Sequence, residues 1–400
     1  MKTFKNILFV LSLLFISGNY GFAQRNFGFY GLQKLPQAHY YNPAFHSNNR
    51  VYLSILPLQP SVGVSNSGFT LDDLAVGTGH AIDQLAPLNF IDLNFQNEIF
   101  GFGFQTKKRY FSLSAHHKFN LQFAYPKDFF LLAFDGNGNE LLGKRANMDG
   151  MGMNFNQYME YSAGYSQTFF NRFTFGSRVK VLSGVMNVQT EKSVLGLTTD
   201  ADSYALTLDG ELDLRTSGLF DEDGNFSANT ADLISNFYNF QNFGVAADIG
   251  MNFKLNDKWS FNSSTLDVGY IKYKANVRNL VQDEVNYTFD GLDMRRMFED
   301  STYFERLADS VANIFNVEGN SESYSVTLPT RIIVGTNFNL NKMIGFGATY
   351  FSDFSVGKYR PTMMLSTSIN LREFIFINGS YMISNRSYNN FGLALRRIMF

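Results

Sequence analysis

Cysteine is absent from this sequence, which excludes disulfides, thiolate metal sites and a lipid-modified N-terminal cysteine. Charge is scarce: 17% of residues are Asp, Glu, Lys or Arg, against ~25% in ordinary soluble domains. The formal net charge of -2 removes any electrostatic case for nucleic acid or another strongly charged partner. No apolar run is long enough to cross a bilayer as a helix. The longest, Ile7–Ile16, is about half of the ~20 residues such a helix needs. Tryptophan occurs once, yet phenylalanine occurs 43 times and tyrosine 21 times, so the chain is aromatic without being helically hydrophobic.

The aromatics and aliphatics are placed at alternate positions. Phe111, Leu113, Ala115, His117, Phe119, Leu121 and Phe123 interleave with Tyr110, Ser112, Ser114, His116, Lys118, Asn120 and Gln122. Phe243, Val245, Ala247, Ile249, Met251 and Phe253 interleave with Gly244, Ala246, Asp248, Gly250 and Asn252. The chain from Thr330 to Phe400 reads as one such strand after another. Successive side chains of a strand face opposite sides, so each stretch has one apolar and one polar face. A mean hydropathy of -0.14 hides this pattern, because the apolar residues occupy every second position. The expected fold is all-β: a closed antiparallel transmembrane β-barrel of about 12–14 strands with a short helical insertion.

Lys2 and Lys5, the apolar run Ile7–Ile16 and the small residues Gly21 and Ala23 read as a Sec-type signal peptide over 1–23, with cleavage near Ala23-Gln24. An exported chain with amphipathic strands and no helical span is expected in a Gram-negative outer membrane. Tight turns are expected at Lys107, Asn171, Asp257, Asn341 and Arg372, and these would face the periplasm along with both chain ends. Long segments near 66–97, 120–157, 186–242 and 275–329 would face outside. Leu292–Phe315, within an insertion over 274–329, has the spacing of one or two amphipathic helices. A first strand is expected over Val51–Val64, weakened by Pro57 and Pro60.

Between signal peptide and first strand, residues 24–47 contain Leu35-Pro36-Gln37-Ala38 and Tyr40-Tyr41-Asn42-Pro43-Ala44-Phe45. Together with the strand ladder and the terminal Phe400, this Asn-Pro-Ala element resembles that of FadL-like outer-membrane barrels, in particular the PorV- and PorP-like branches of Bacteroidota. The resemblance implies about fourteen strands and an N-terminal segment inside or beneath the barrel. It also implies passive uptake or binding of a small hydrophobic solute, or else a non-transporting barrel that binds a partner such as a secretion-system protein.

Lys118, Glu160, Arg178, Lys180, Asp248, Lys254 and Arg331 fall on the inward parity and are candidate lumen-facing charges. They would line a polar pore, or pair with one another inside a plugged barrel. Phe400 is a candidate signal for the barrel assembly machinery, or an ordinary girdle aromatic. Outer-membrane lipid is the other expected contact. His39, His46, His80, His116 and His117 show no metal-ligand spacing, and neighbours such as His116 and His117 point to opposite faces of a strand. Asp135–Glu140 and Asp221–Asn225 look like calcium loops but lack the glycine at the sixth position. No catalytic pair can be named, so neither an enzyme nor a cofactor is expected.

Overall fold

The computed structural model of the chain describes residues 30, 33, 35–47, 49–55, 61–138, 140–219, 238, 240–289, 320–355, 358–371, 375–384 and 387–397. The signal peptide, the 292–315 stretch, the Arg372 turn, the Asp221–Asn225 loop and Phe400 lie outside the described residues. Among the described residues, seventeen strands form one sheet. They are β1 (Val51–Ile55), β2 (Ser61–Asn66), β3 (Leu88–Gln105), β4 (Arg109–Pro126), β5 (Arg145–Asn147), β6 (Gly152–Phe169), β7 (Phe173–Thr199), β8 (Leu206–Ser217) and β9 (Phe243–Lys254). Then come β10 (Trp259–Tyr273), β11 (Val277–Phe289), β12 (Tyr324–Thr327), β13 (Thr330–Asn339), β14 (Ile344–Ser355), β15 (Lys358–Leu371), β16 (Ile375–Ser384) and β17 (Ser387–Arg397).

The paired strands are antiparallel and the wall runs β3–β4–β6–β7–β9–β10–β13–β14–β15–β16–β17. At its first edge β1 and β2 both pair with β3, at Phe100–Phe104 and Ile91–Gln96 respectively. They are two halves of the expected first strand, divided by the stretch that holds Pro57 and Pro60. Likewise β12 and β13 are one strand interrupted at Leu328-Pro329, since both pair with β10. Beyond the wall, β5 and β8 flank the upper half of β7, and β8 carries β11. These splits and the outer extension raise the strand number above the expected 12–14.

Three boundaries correct the sequence reading. The strand expected from Glu98 starts at Leu88. The long segment expected after Val185, with an internal hairpin around Ser203–Arg215, contains the β7 extension and β8, and the insertion expected over 274–329 contains the strand β11. The physical reason is shared. These stretches lie at the long-loop end, where strands are paired but no bilayer imposes an apolar side. β7 alone has 27 residues, well over twice the ~9–11 that cross a membrane. Short helices α1 (Leu71–Val76), α2 (Thr78–Asp83) and α3 (Lys127–Phe134) sit at that end. Thr70 caps α1 in a reciprocal box with Asp73, and these backbone and hydroxyl bonds hold the Asp73 carboxyl below its usual range. No helix among the described residues is long and apolar enough to cross a membrane.

The wall is polar inside and apolar outside. Glu160, Asp248 and Lys180 are at most 2% exposed, whereas Leu53, Val179 and Leu393 are 60% or more. A soluble domain arranged so would expose far more contiguous apolar surface than water tolerates. The pattern suits a wall whose outer face meets lipid. The inner face wraps round the N-terminal segment. Tyr30, Ala38 and Phe45 pack with Leu266, Ile333, Phe351, Met364 and Met382 of β10 and β13–β16, while Tyr40 reaches β4 and β7 on the other side.

Candidate functional site

The segment 35–47 enters the lumen as a short 3-10 helix, Pro36–Tyr40, started by the fixed φ of Pro36. Pro43 then keeps Asn42 out of the helical region, and the chain turns. The Asn42 side chain accepts from Ala44 N at 2.9 Å, closing an Asx turn. Its amide donates to the carbonyls of Met251 and Ser263, both at 3.2 Å, tying the turn to β9 and β10. Ser264 Oγ donates to Tyr41 O at 2.7 Å. Asn42 is fully buried.

Two glycines make room for this turn. Gly176 of β7 and Gly250 of β9 are direct cross-strand partners. A Cβ at Gly176 would collide with the Pro43 carbonyl, and one at Gly250 with Asn42 Oδ1. The pair forms a flat seat on which Asn42-Pro43 lies against bare backbone. Around it, the Tyr30 hydroxyl donates to Asn262. Tyr40 stacks edge-on against His116 at 4.5 Å and lies under the Arg178 guanidinium. His46 and Ser166 Oγ are 2.7 Å apart.

Beside the segment lies a lattice of buried charge. Lys118 Nζ is 2.6 Å from Glu160. Lys180 bridges Asp248 at 2.8 Å and Glu160 at 3.4 Å, and also pairs with Asp267. Arg178 pairs with Asp248 and donates to Tyr40 O at 3.0 Å, linking the lattice to the segment. Arg331 pairs with Asp267, and Asp353 is its cross-strand partner on β14. Six of the seven candidate lumen charges are thus brought together. Lys254 is not among them: it is the last residue of β9, past the end of the lumen, and it is exposed.

Asp267 was missed. It sits on the outward, apolar parity of β10, with Phe261 and Thr265. A bulge between Thr265 and Val268 turns both Leu266 and Asp267 inward. Asp267 takes φ +59 there, and its backbone N–H donates to Asp248 at 2.7 Å. A carboxylate on an otherwise lipid-facing parity was the available signal. Ile333, Met364 and Met382 were missed in the converse way. They are apolar residues on the polar parity, and they form the lumenal patch that receives Tyr30 and Phe45.

Above the segment, the lumen narrows to a cavity of about 80 Å³ bounded by Tyr41, Ser61, Asn94, Lys118, Arg331 and Asp353, among others. That is room for a few waters or a small polar group, at ~30 Å³ per water. Ser61 and Gly63 of β2 form part of its wall.

His39 and His46 belong to the lumenal segment rather than to the wall. Burial, with Arg178 nearby, pushes the His39 imidazole down to about 3, and burial, with Lys254 nearby, pushes His46 down to about 4. An unfolded histidine titrates near 6.5, so the seated segment binds fewer protons than the released one. The seat is therefore at full strength above about pH 6.5 and weakens as pH falls toward those lowered values. Protease cleavage within the segment should rise between pH 7.5 and pH 4.5. A His39→Gln/His46→Gln variant should show a flatter profile, and an unchanged profile would assign the effect to other groups.

The sequence from 43 to 399 matches the family model described as "Family of unknown function (DUF5723)". No curated protein matches. Among solved structures, the chain is similar to the toluene transporter TodX of Pseudomonas putida, at 10% identity over 81% of this chain and 72% of that one, with a TM-score of 0.35. It is similar to the toluene transporter TbuX of Ralstonia pickettii at 8% identity, over 85% and 74%, with a TM-score of 0.36. It is also similar to the translocator domain of the autotransporter NalP of Neisseria meningitidis at 6% identity, over 93% and 95%, with a TM-score of 0.31.

Proposed function

Because the chain belongs to this family of unknown function, we propose its role from its own geometry: an outer-membrane barrel, closed at rest by its N-terminal segment, that binds and admits a small solute with a polar head. One observation carries this reading. Beside the segment and the charge lattice, the described residues leave a small cavity that Ser61 and Gly63 of β2 line together with Lys118 and Arg331. A solute entering there meets Lys118 and Arg331 as charged ends and Phe95 and Tyr158 as apolar walls. The lumen itself is polar, so an apolar solute gains nothing by crossing it end to end.

The refolded mature chain should show no steady conductance in a planar bilayer and should bind a fluorescent fatty acid saturably, with the carboxylate head alone in the cavity of about 80 Å³ and the tail outside it. Ser61→Trp, which fills the cavity from a strand edge, should abolish that binding and leave the fold intact. Steady conductance in the unaltered chain, or fatty-acid binding unaffected by Ser61→Trp, would reject the reading.

A second reading has its own observation. The β5–β7–β8–β11 sheet stands beyond the wall and carries surface ion pairs, Arg145 with Asp209 and Lys192 with Glu211. Such a sheet would offer a platform to a protein partner. A barrel that is silent, binds no lipid and holds a partner through this sheet would favour it.

A further inference from the structure

Charge is scarce overall, but the described turns at one end carry almost only cations. At the short-turn end, the β3–β4 turn carries Lys107 and Lys108, with Arg109 opening β4, and the β6–β7 turn carries Arg172. At the β9–β10 turn stand Lys254 and Lys258, and at the β13–β14 turn Lys342; Asp257 is the one acid among these four turns. All are exposed. The opposite end carries exposed carboxylates, among them Asp72, Asp83, Asp149, Asp200, Asp202 and Asp283, mixed with exposed cations such as Lys144, Arg145, Lys192 and Lys274. A chain of net charge -2 thus presents a strongly cationic rim at one end.

Directly next to that rim runs a girdle of outward aromatics in cross-strand register. Phe104 faces Phe111, which faces Tyr165. Phe169 faces Phe173, Phe173 faces Phe253, and Phe253 faces Phe261. Trp259 faces Phe338, which faces Phe346. Rings of this kind sit at the level of lipid headgroups, and lysine and arginine just beyond them extend their stems past the rings toward phosphate.

We propose that this rim binds the headgroups of anionic phospholipids in the leaflet that meets the short turns. Charge complementarity gives the sign of the ligand. The distribution gives its class: the cations recur at four turns round the wall, and a leaflet touches every turn, whereas a docked protein covers one arc. The inference rests on the barrel reading above, and that reading has its own check in the test.

The single tryptophan, Trp259, lies in the girdle beside Lys258 and supplies the probe. The full mature chain is folded into phosphatidylcholine vesicles, and altered gel mobility on heating verifies the barrel independently. Brominated phosphatidylglycerol is then compared with brominated phosphatidylcholine as a quencher of Trp259. The expected result is a several-fold preference for phosphatidylglycerol at low salt, lost at high salt. It should also be lost in Lys254→Gln/Lys258→Gln/Lys342→Gln, whose exposed side chains do not hold the fold together. Equal quenching by the two lipids, or a preference unchanged in the triple variant, overturns the proposal. Failure to show heat-dependent mobility overturns the barrel reading instead.

Discussion

Filling the glycine seat should turn a silent barrel into a conducting one. Gly176→Leu is expected to act more strongly than Gly250→Leu. At Gly176 the new Cβ meets the Pro43 carbonyl, a backbone atom that cannot rotate away. At Gly250 it meets the Asn42 side chain, which can move but then loses its bonds to Met251 and Ser263, about 1 kcal/mol each. Asn42→Ala removes the same bonds without a clash and should have the mildest effect. Both glycines face inward on strands whose outward residues, Phe175 and Met251 among them, are untouched, so the wall should still fold. The measurement pairs planar-bilayer conductance with protease digestion of the N-terminal segment. Steady current together with a newly cleavable segment is the expected outcome. A cleavable segment in a barrel that stays silent would show that the charge lattice seals the lumen by itself.

What the sequence made legible is the part of the wall that lipid reads. β4 and β9 follow their alternation over most of their length, with Phe111, Leu113, Ile249 and Met251 exposed and Ser112, Ser114, Asp248 and Gly250 buried. A bilayer on one side and a polar lumen on the other force that pattern. The turns at Lys107, Asn171, Asp257 and Asn341 were legible for the related reason that their strands end together. Past the bilayer the constraint lapses. The outer halves of β3 and β7, and β11, are paired strands that show little alternation and read as loops, whereas β8, with Leu206, Leu208, Leu212 and Leu214 at alternate positions, is legible as part of a hairpin around Ser203–Arg215. In the lumen, six charges were legible from parity alone, but the partners they chose were not. Asp267 reaches them only through a bulge, and parity counting cannot cross a bulge. The seat was invisible in sequence because Gly176 and Gly250 are 74 positions apart (250 minus 176) and meet only through the register of β7 with β9.

Removing Asp267 should be among the most destabilising single substitutions in the chain. Its carboxylate pairs with Lys180 and Arg331 and lies 3.9 Å from Lys118. Without it, Lys118, Lys180 and Arg178 keep Glu160 and Asp248, and Arg331 keeps its cross-strand neighbour Asp353. Removing one partner of a buried charge pair costs about 3–5 kcal/mol, because the charges left behind are uncompensated. Asp267→Asn isolates the charge, since asparagine also tolerates the left-handed conformation that this position holds. Asp267→Ala adds ~1–2 kcal/mol for placing an alanine there. The exposed pair of Asp209 with Arg145 is the control, and Asp209→Ala should cost below about 1 kcal/mol. Urea unfolding of the barrel in vesicles would rank the three. If Asp267→Asn unfolded no more readily than Asp209→Ala, the lattice would not be holding the wall together. The same account requires that a second substitution, Lys118→Gln, recover part of the loss in Asp267→Asn by removing one of the stranded cations. A double variant weaker than Asp267→Asn would instead show that Lys118 serves Glu160 alone, at 2.6 Å, and that the charges act as separate pairs.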